Sequence, residues 1–254
     1  MIQKSCKNAL KVFTLKEHFL AFRCCLIKIL CFFFLMTIVT FQFSWDIFYF
    51  LSKPLSNLAY SYGNSHFIYT KLTEGFMTEL KISFISSFFF CSPFIVYQLY
   101  KFLEPGLYQD EKKIIIPYLF LSPLLFLLGV LLVYFVVMPI TWKFFMSFQN
   151  IKPQNDGMSI ILEARISEYI DLIIELFMGF GLAFQLPILL LILTKLQIIN
   201  YEQLRKFRRY AVVLIFILAA ILTPPDVISQ IILALPLVLL YEISILLCKR
   251  IKHA

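Results

Sequence analysis

Apolar residues run along this chain in long unbroken blocks, and polar residues collect in the stretches between them. The blocks fall at residues 26–44, 80–103, 114–140, 167–194, 210–222 and 227–248. Most reach the roughly 20 residues that an α-helix needs to cross a bilayer. Strand-type alternation is absent and the runs are too long for the strands of a membrane barrel. The pattern predicts an all-α, polytopic membrane protein with six transmembrane helices, forming one domain over residues 1–254.

Composition agrees: 61% of residues are hydrophobic, 29 are phenylalanine, and the mean hydropathy is +0.85. The net charge of +8 could suggest a nucleic-acid partner. Its placement says otherwise. Seventeen of the 23 Lys and Arg residues fall before or at the start of the first block, on or between the facing ends of the second and third, between the fourth and fifth, or after the last. By the positive-inside rule both termini and the 102–113 loop face the cytoplasm or its organellar equivalent, so topology accounts for the basic excess.

The basic, then apolar, amino terminus reads as a retained first span: the run is too long for a signal core and no small-residue cleavage site follows it. The cysteines (Cys6, Cys24, Cys25, Cys31, Cys91 and Cys248) lie in spans or on the inner side, which excludes a disulfide framework outside. With no CxxC pair and no partnering histidines, neither a metal nor another cofactor is expected. The chain is not expected to be an enzyme, since no nucleophile–base pair or nucleotide loop occurs.

The outer loop 45–79, which contains Pro54, is expected to form short amphipathic pieces at the interface. Pro93, Pro117 and Pro123 should bend their spans and leave a concavity between them. The fifth block, Tyr210 to Leu222, has 13 residues and spans about 20 Å as a helix, against about 30 Å of hydrocarbon. The last hairpin should therefore turn within the outer half of the membrane, through TPPD at 223–226. There Thr223 can cap the final helix, Pro224 occupies its first position and Asp226 its third.

The chemistry concentrates in FLEPGLYQDEKK, residues 102 to 113. Pro105-Gly106 should end the second helix, proline pushing Glu104 out of the helical region and glycine taking a positive φ. Glu104, Asp110 and Glu111 are then held at the inner membrane face. Glu111 reads either as a solvated acid paired to Lys112, or as a dock for a cationic peptide. A carboxylate at a partly dry interface can take a bidentate arginine, worth about 1.5–3 kcal/mol.

That string resembles the first cytoplasmic loop of the TatC family, the multispanning core of the twin-arginine protein translocase. ILTPPDVISQIILALPLVLLYEISILL (221–247), ELFMGFGLAFQLPILL (175–190) and SPLLFLLGVLLVYFVVMPI (122–140) are similar to its later spans. The resemblance covers residues 17–248 and implies a curved, cup-like bundle with short fifth and sixth helices. It implies a receptor for signal peptides bearing paired arginines, which moves folded proteins across a membrane on the proton gradient. The partners implied are small single-span TatA/TatB-type subunits and further copies of the chain. Contact with the signal peptide falls, on this resemblance, to Glu111, Phe102 and Pro105, with Arg23 in the amino-terminal arm. Ala21 stands where the family places a second acid, so Glu17, Glu104 or Asp110 would take over its share.

Other polar residues read two ways. Gln185 in the fourth span serves as interhelix glue or contacts a partner helix, and Asp226 as a cap or a partner contact. Glu242 is expected to pair with a basic residue at the inner interface. Glu168, Asp171 and Glu175 share one helix face, and Glu175 is expected to find Lys81 or to be protonated. A small-solute or ion transporter is the alternative function, but it calls for acids on facing helices at midplane. Lysine outnumbers arginine 17 to 6, as in AT-rich coding, which favours a plastid thylakoid membrane over a bacterial or mitochondrial inner membrane.

Overall fold

A computed structural model describes residues 15–59, 66–107, 109–148, 163–222 and 227–252. Helices make up almost all of it. Leu15–Gln42 (α1) contains no proline or glycine and runs unbroken from the inner side to the outer. It turns at Phe43 into a short helix, Ser44–Ala59 (α2). Glu74–Leu103 (α3) returns to the inner side, where Glu104–Gly106 forms a single 3-10 turn. Gln109–Leu132 (α4) continues through a π-helical turn at Val133–Val137 into Met138–Met146 (α5). Ile166–Ala183 (α6) and Leu186–Lys195 (α7) are two halves of one span, followed by Tyr201–Leu222 (α8) and Val227–Lys252 (α9).

Among the described residues, five helical segments are long and apolar enough to cross a membrane: Lys16–Gln42, Glu74–Gly106, Ile115–Met146, Ile166–Lys195 and Gln230–Lys249. The expected fifth span lies in α8, whose first half carries Glu202, Arg205, Lys206, Arg208 and Arg209 and is apolar only beyond them. Helices start earlier than the apolar blocks do, because charged turns at the membrane faces still complete their backbone bonds as helix. Large apolar side chains such as Phe120 and Phe135 are exposed, at 77% and 67%. Such a surface suits contact with lipid rather than water.

Two interruptions have local causes. Pro139 cannot donate to the carbonyl four residues back, and the chain accommodates its ring by widening one turn at 133–137, where Met138 N–H reaches Val133 O. Pro187 likewise has no donor for Ala183, and the fourth span breaks at Phe184–Gln185 just before it. The sequence pattern predicted one uninterrupted apolar block there, over 167–194.

Packing centres on α4–α6. Phe180, Met138, Ile170, Ile173 and Leu176 are wholly or almost wholly enclosed. Two glycines let these helices meet closely: Phe126 of α4 lies over Gly181 of α6, and Phe184 lies over Gly129 of α4. Between α1 and α3, small polar residues form the seam. Thr40 Oγ1 lies 2.7 Å from Ser87 Oγ and donates to Ser83 O at 2.9 Å.

The outer side is tied together by one buried carboxylate. Strand Phe67–Ile68 (β1) pairs in parallel with Ala164–Arg165 (β2), bridging the two outer loops. Beside it Glu74 accepts from Thr70 N at 3.0 Å, Lys71 N at 3.2 Å, Ser167 Oγ at 2.7 Å and Arg165 Nε at 3.0 Å. The carboxylate's hydrogen bonds and charge push the Arg165 pKa up from its ordinary value. The amphipathic outer piece expected in the first loop is α2, and Pro54 explains how it is fastened. A proline at 54 leaves the Phe50 carbonyl without its helical donor, and the Tyr134 hydroxyl donates to it instead at 3.0 Å. The Tyr169 hydroxyl donates to the next carbonyl, Leu51 O, at 2.8 Å.

Candidate functional site

At the inner end of α3 the FLEP turn departs from the sequence expectation. Glu104 is helical, at φ −48° and ψ −45°, and its N–H still bonds Tyr100 O. Proline does not expel it, because Pro105 sits at the start of a new 3-10 turn, where a missing amide costs nothing. Gly106 does not take the positive φ expected of it, and the reversal is made by Leu107, extended at φ −97° and ψ 141°. Gln109 then opens α4. Asp110 and Glu111 occupy the first turn of that helix, a favourable place for carboxylates beside unpaired amides; their side chains lie outside the described residues.

The amino-terminal arm folds onto this turn. His18 and Phe22, one helical turn apart on α1, both meet the Phe102 ring, His18 stacked at 4.5 Å and Phe22 tilted at 5.4 Å. Offset and tilted ring pairs at these separations are favourable contacts. One layer deeper, Cys25 Sγ donates to Gln98 O at 3.4 Å. Arg23 is exposed on the same arm, with no hydrogen bond or ion pair among the described residues. Glu17 is also exposed there. Glu104 and Lys112 approach to 3.5 Å with side chains 45% and 30% exposed. A pair this open is worth at most about 1 kcal/mol, so an arriving cation can displace the lysine.

The arrangement therefore brings Phe102, Glu104 and Pro105 to one inner corner against the arm that carries Glu17 and Arg23. His18 carries no charge cue, and its part was missed in the sequence; the four-residue spacing to Phe22 was the available signal. The Glu104–Lys112 contact crosses the turn and had no local signature.

The remaining polar residues sort differently. Gln185 accepts from Ser122 Oγ at 2.5 Å and donates to Ser122 O at 3.0 Å, so its amide joins α4 to the break between α6 and α7. Glu242 takes Arg208, pairing α9 with α8 near the inner side as expected. Lys81 does not reach Glu175. It pairs with Asp171 at 2.6 Å, one turn nearer the outer end, and Glu175 is exposed on the helix flank. The i, i+3, i+7 spacing put all three acids on one face but could not rank their distances to a neighbouring helix. Thr223 and Asp226, with the TPPD turn, lie outside the described residues.

These features define a multi-pass helical membrane protein whose ion pairs, among the described residues, sit toward its two faces. A family profile described as Sec-independent protein translocase protein (TatC) matches residues 17–236. The chain is 45% identical over 245 residues to the Sec-independent protein translocase protein TatC of Rickettsia prowazekii (strain Madrid E), covering 96% of this chain and 95% of that one. It is 37% identical to the uncharacterized tatC-like protein ymf16 of Reclinomonas americana, over 92% of this chain and 87% of that one. A crystal structure of the twin arginine translocase receptor TatC superposes with a TM-score of 0.78 at 38% identity, covering 91% of this chain and 99% of that one. The chain belongs to the TatC family, whose members are components of a protein translocase and not catalytic enzymes.

Proposed function

We propose that the inner corner formed by α1, the 3-10 turn and the start of α4 receives the paired arginines of a signal peptide. The observation that carries this reading is the stack of His18 and Phe22 on Phe102, which brings the amino-terminal arm and the acid-bearing turn onto one surface. Glu111 is the principal acceptor, since a planar guanidinium matches a carboxylate fork and a lysine ammonium does not. Glu104 exchanges its weak lysine bridge for the second arginine, and Asp110 adds charge. Glu17 sits one turn from Ala21 and supplies the arm's acid. Phe102 and Pro105 shape the floor. Arg23 repels a peptide that enters in the wrong register.

The chain works with small single-span TatA/TatB-type subunits, in more than one copy per assembly, and draws on the proton gradient. All six apolar blocks cross the membrane, α8 through a locally thinned bilayer. Because the relatives named above include a bacterial translocase protein, we favour a bacterial or mitochondrial inner membrane over the thylakoid that composition first suggested. Thr223 and Asp226 serve the outer hairpin as caps of the last helix, a partner contact at Asp226 being the alternative.

The test is site-specific crosslinking of a peptide bearing two arginines to residues 102–113, in the intact protein in membranes. Glu111→Ala should abolish the crosslink while insertion and thermal stability stay unchanged, and a two-lysine peptide should crosslink poorly. An undiminished signal in Glu111→Ala overturns the assignment.

A further inference from the structure

Toward the outer side, α2, α3 and α6 enclose a groove of about 370 Å³ whose walls are almost entirely apolar. That volume is within the roughly 300–1,000 Å³ typical of small-molecule sites. Ile82, Ile85, Ser86, Phe89 and Phe90 of α3 line it, a stretch of nine residues and about 12 Å of helix, so it runs along the membrane normal rather than across it. On α6, Ile170, Ile173 and Phe177 complete the wall.

Only two polar side chains line the groove, and neither has a partner among the described residues. Asp46, in the first turn of α2, is exposed and makes no hydrogen bond or ion pair among them. Ser86 is only 9% exposed, yet its hydroxyl has no partner among them. Its neighbours on α3 behave otherwise. Ser83 donates to Glu79 O at 2.7 Å, Ser87 to Ser83 O at 2.6 Å and Ser92 to Phe89 O at 2.8 Å. A serine buried in a membrane helix ordinarily satisfies itself on the preceding turn. Ser86 instead lines the groove without such a bond, four residues or about 6 Å deeper along α3 than Ile82.

We propose that this groove is a binding site for one outer-leaflet phospholipid with an ammonium headgroup, phosphatidylethanolamine. The three layers of such a lipid match three layers of the wall. The ammonium meets the Asp46 carboxylate at the mouth, where water and headgroups mix. An ester carbonyl of the glycerol backbone accepts from the Ser86 hydroxyl just below. One acyl chain lies against Phe89, Phe90, Ile173 and Phe177. A phospholipid with a net negative headgroup fills the apolar part equally well but sets its charge against Asp46. The site is on the opposite side of the membrane from the signal-peptide corner and does not depend on that reading.

The full-length protein in nanodiscs is to be photocrosslinked with phosphatidylethanolamine carrying a diazirine in one acyl chain, and with the phosphatidylglycerol analogue of the same chains. The expected result is crosslinking concentrated on the 82–90 and 170–177 segments, with the ethanolamine lipid favoured about threefold, as an exposed ion pair allows. Asp46→Asn should bring that ratio to unity while keeping the acyl crosslinks, and Ser86→Ala should lower occupancy by both lipids. Acyl crosslinks spread evenly over the lipid-facing helices would overturn the proposal. So would an equal ratio for the two lipids in the unmodified protein, or exclusive crosslinking of the groove to another polypeptide in native membranes.

Discussion

Gly181 is the position at which the smallest chemical change should do the most damage. A Cβ added there would stand 2.4 Å from Phe126 Cε2, one ångström short of the 3.4 Å at which ordinary contact begins. The ring cannot simply swing aside. Phe126 is 4% exposed and lies against Phe88 and Phe89, with ring centres 6.0 Å and 5.2 Å away. Either α4 and α6 separate or Phe126 leaves its rotamer, and overpacking of this kind costs about 1–3 kcal/mol. Alanine is the better helix former by about 1 kcal/mol, which offsets part of that. A net loss of up to about 2 kcal/mol is therefore expected for Gly181→Ala. Gly75→Ala is the matched control, since its Cβ would meet nothing closer than Tyr69 Cε1 at 3.9 Å. Thermal unfolding in detergent can be followed with a thiol-reactive dye that reports release of buried Cys25, Cys91 and Cys248. Gly181→Ala should lower the midpoint and Gly75→Ala should leave it level or raise it. Equal midpoints for Gly181→Ala and the parent would refute the idea that the two helices meet through a glycine–phenylalanine interlock.

Arg165→Ala should free the outer loops from Glu74, and limited proteolysis in nanodiscs should then cut within residues 66–73 faster than in the parent. Arg165→Lys should fall between them, because an ammonium cannot reproduce the forked contact; indistinguishable cleavage of all three would remove the clasp from the argument. For the inner side, Glu242→Arg should lower the unfolding midpoint and Arg208→Glu combined with it should restore much of the loss. A double variant no better than the worse single one would mean that the pair is incidental.

Much of the architecture was legible because a bilayer leaves few choices. Backbone amides in hydrocarbon must be paired within the segment, so a long apolar run can hardly be anything but helix. The basic residues between runs set the orientation by a rule equally local. The inner corner was legible in part: FLEPGLYQDEKK marks the turn and its acids, and the placement of Phe102, Glu104 and Pro105 at one corner with the arm agrees with it. The backbone of that turn was misjudged. Proline's preference against a helical predecessor is mild, and the α3 hydrogen bond from Glu104 N–H outweighed it.

Local sequence by itself determined which segments are apolar helix, which face is inner, and where the acids cluster, since each depends on the composition of a single stretch. Which side chain meets which was decided by the fold alone. Asp171 rather than Glu175 takes Lys81, the Tyr134 hydroxyl answers the carbonyl that Pro54 leaves bare, and Phe126 rests on Gly181. Each of these joins residues far apart in the chain, and such partners are brought together by helix packing, which no window of sequence contains.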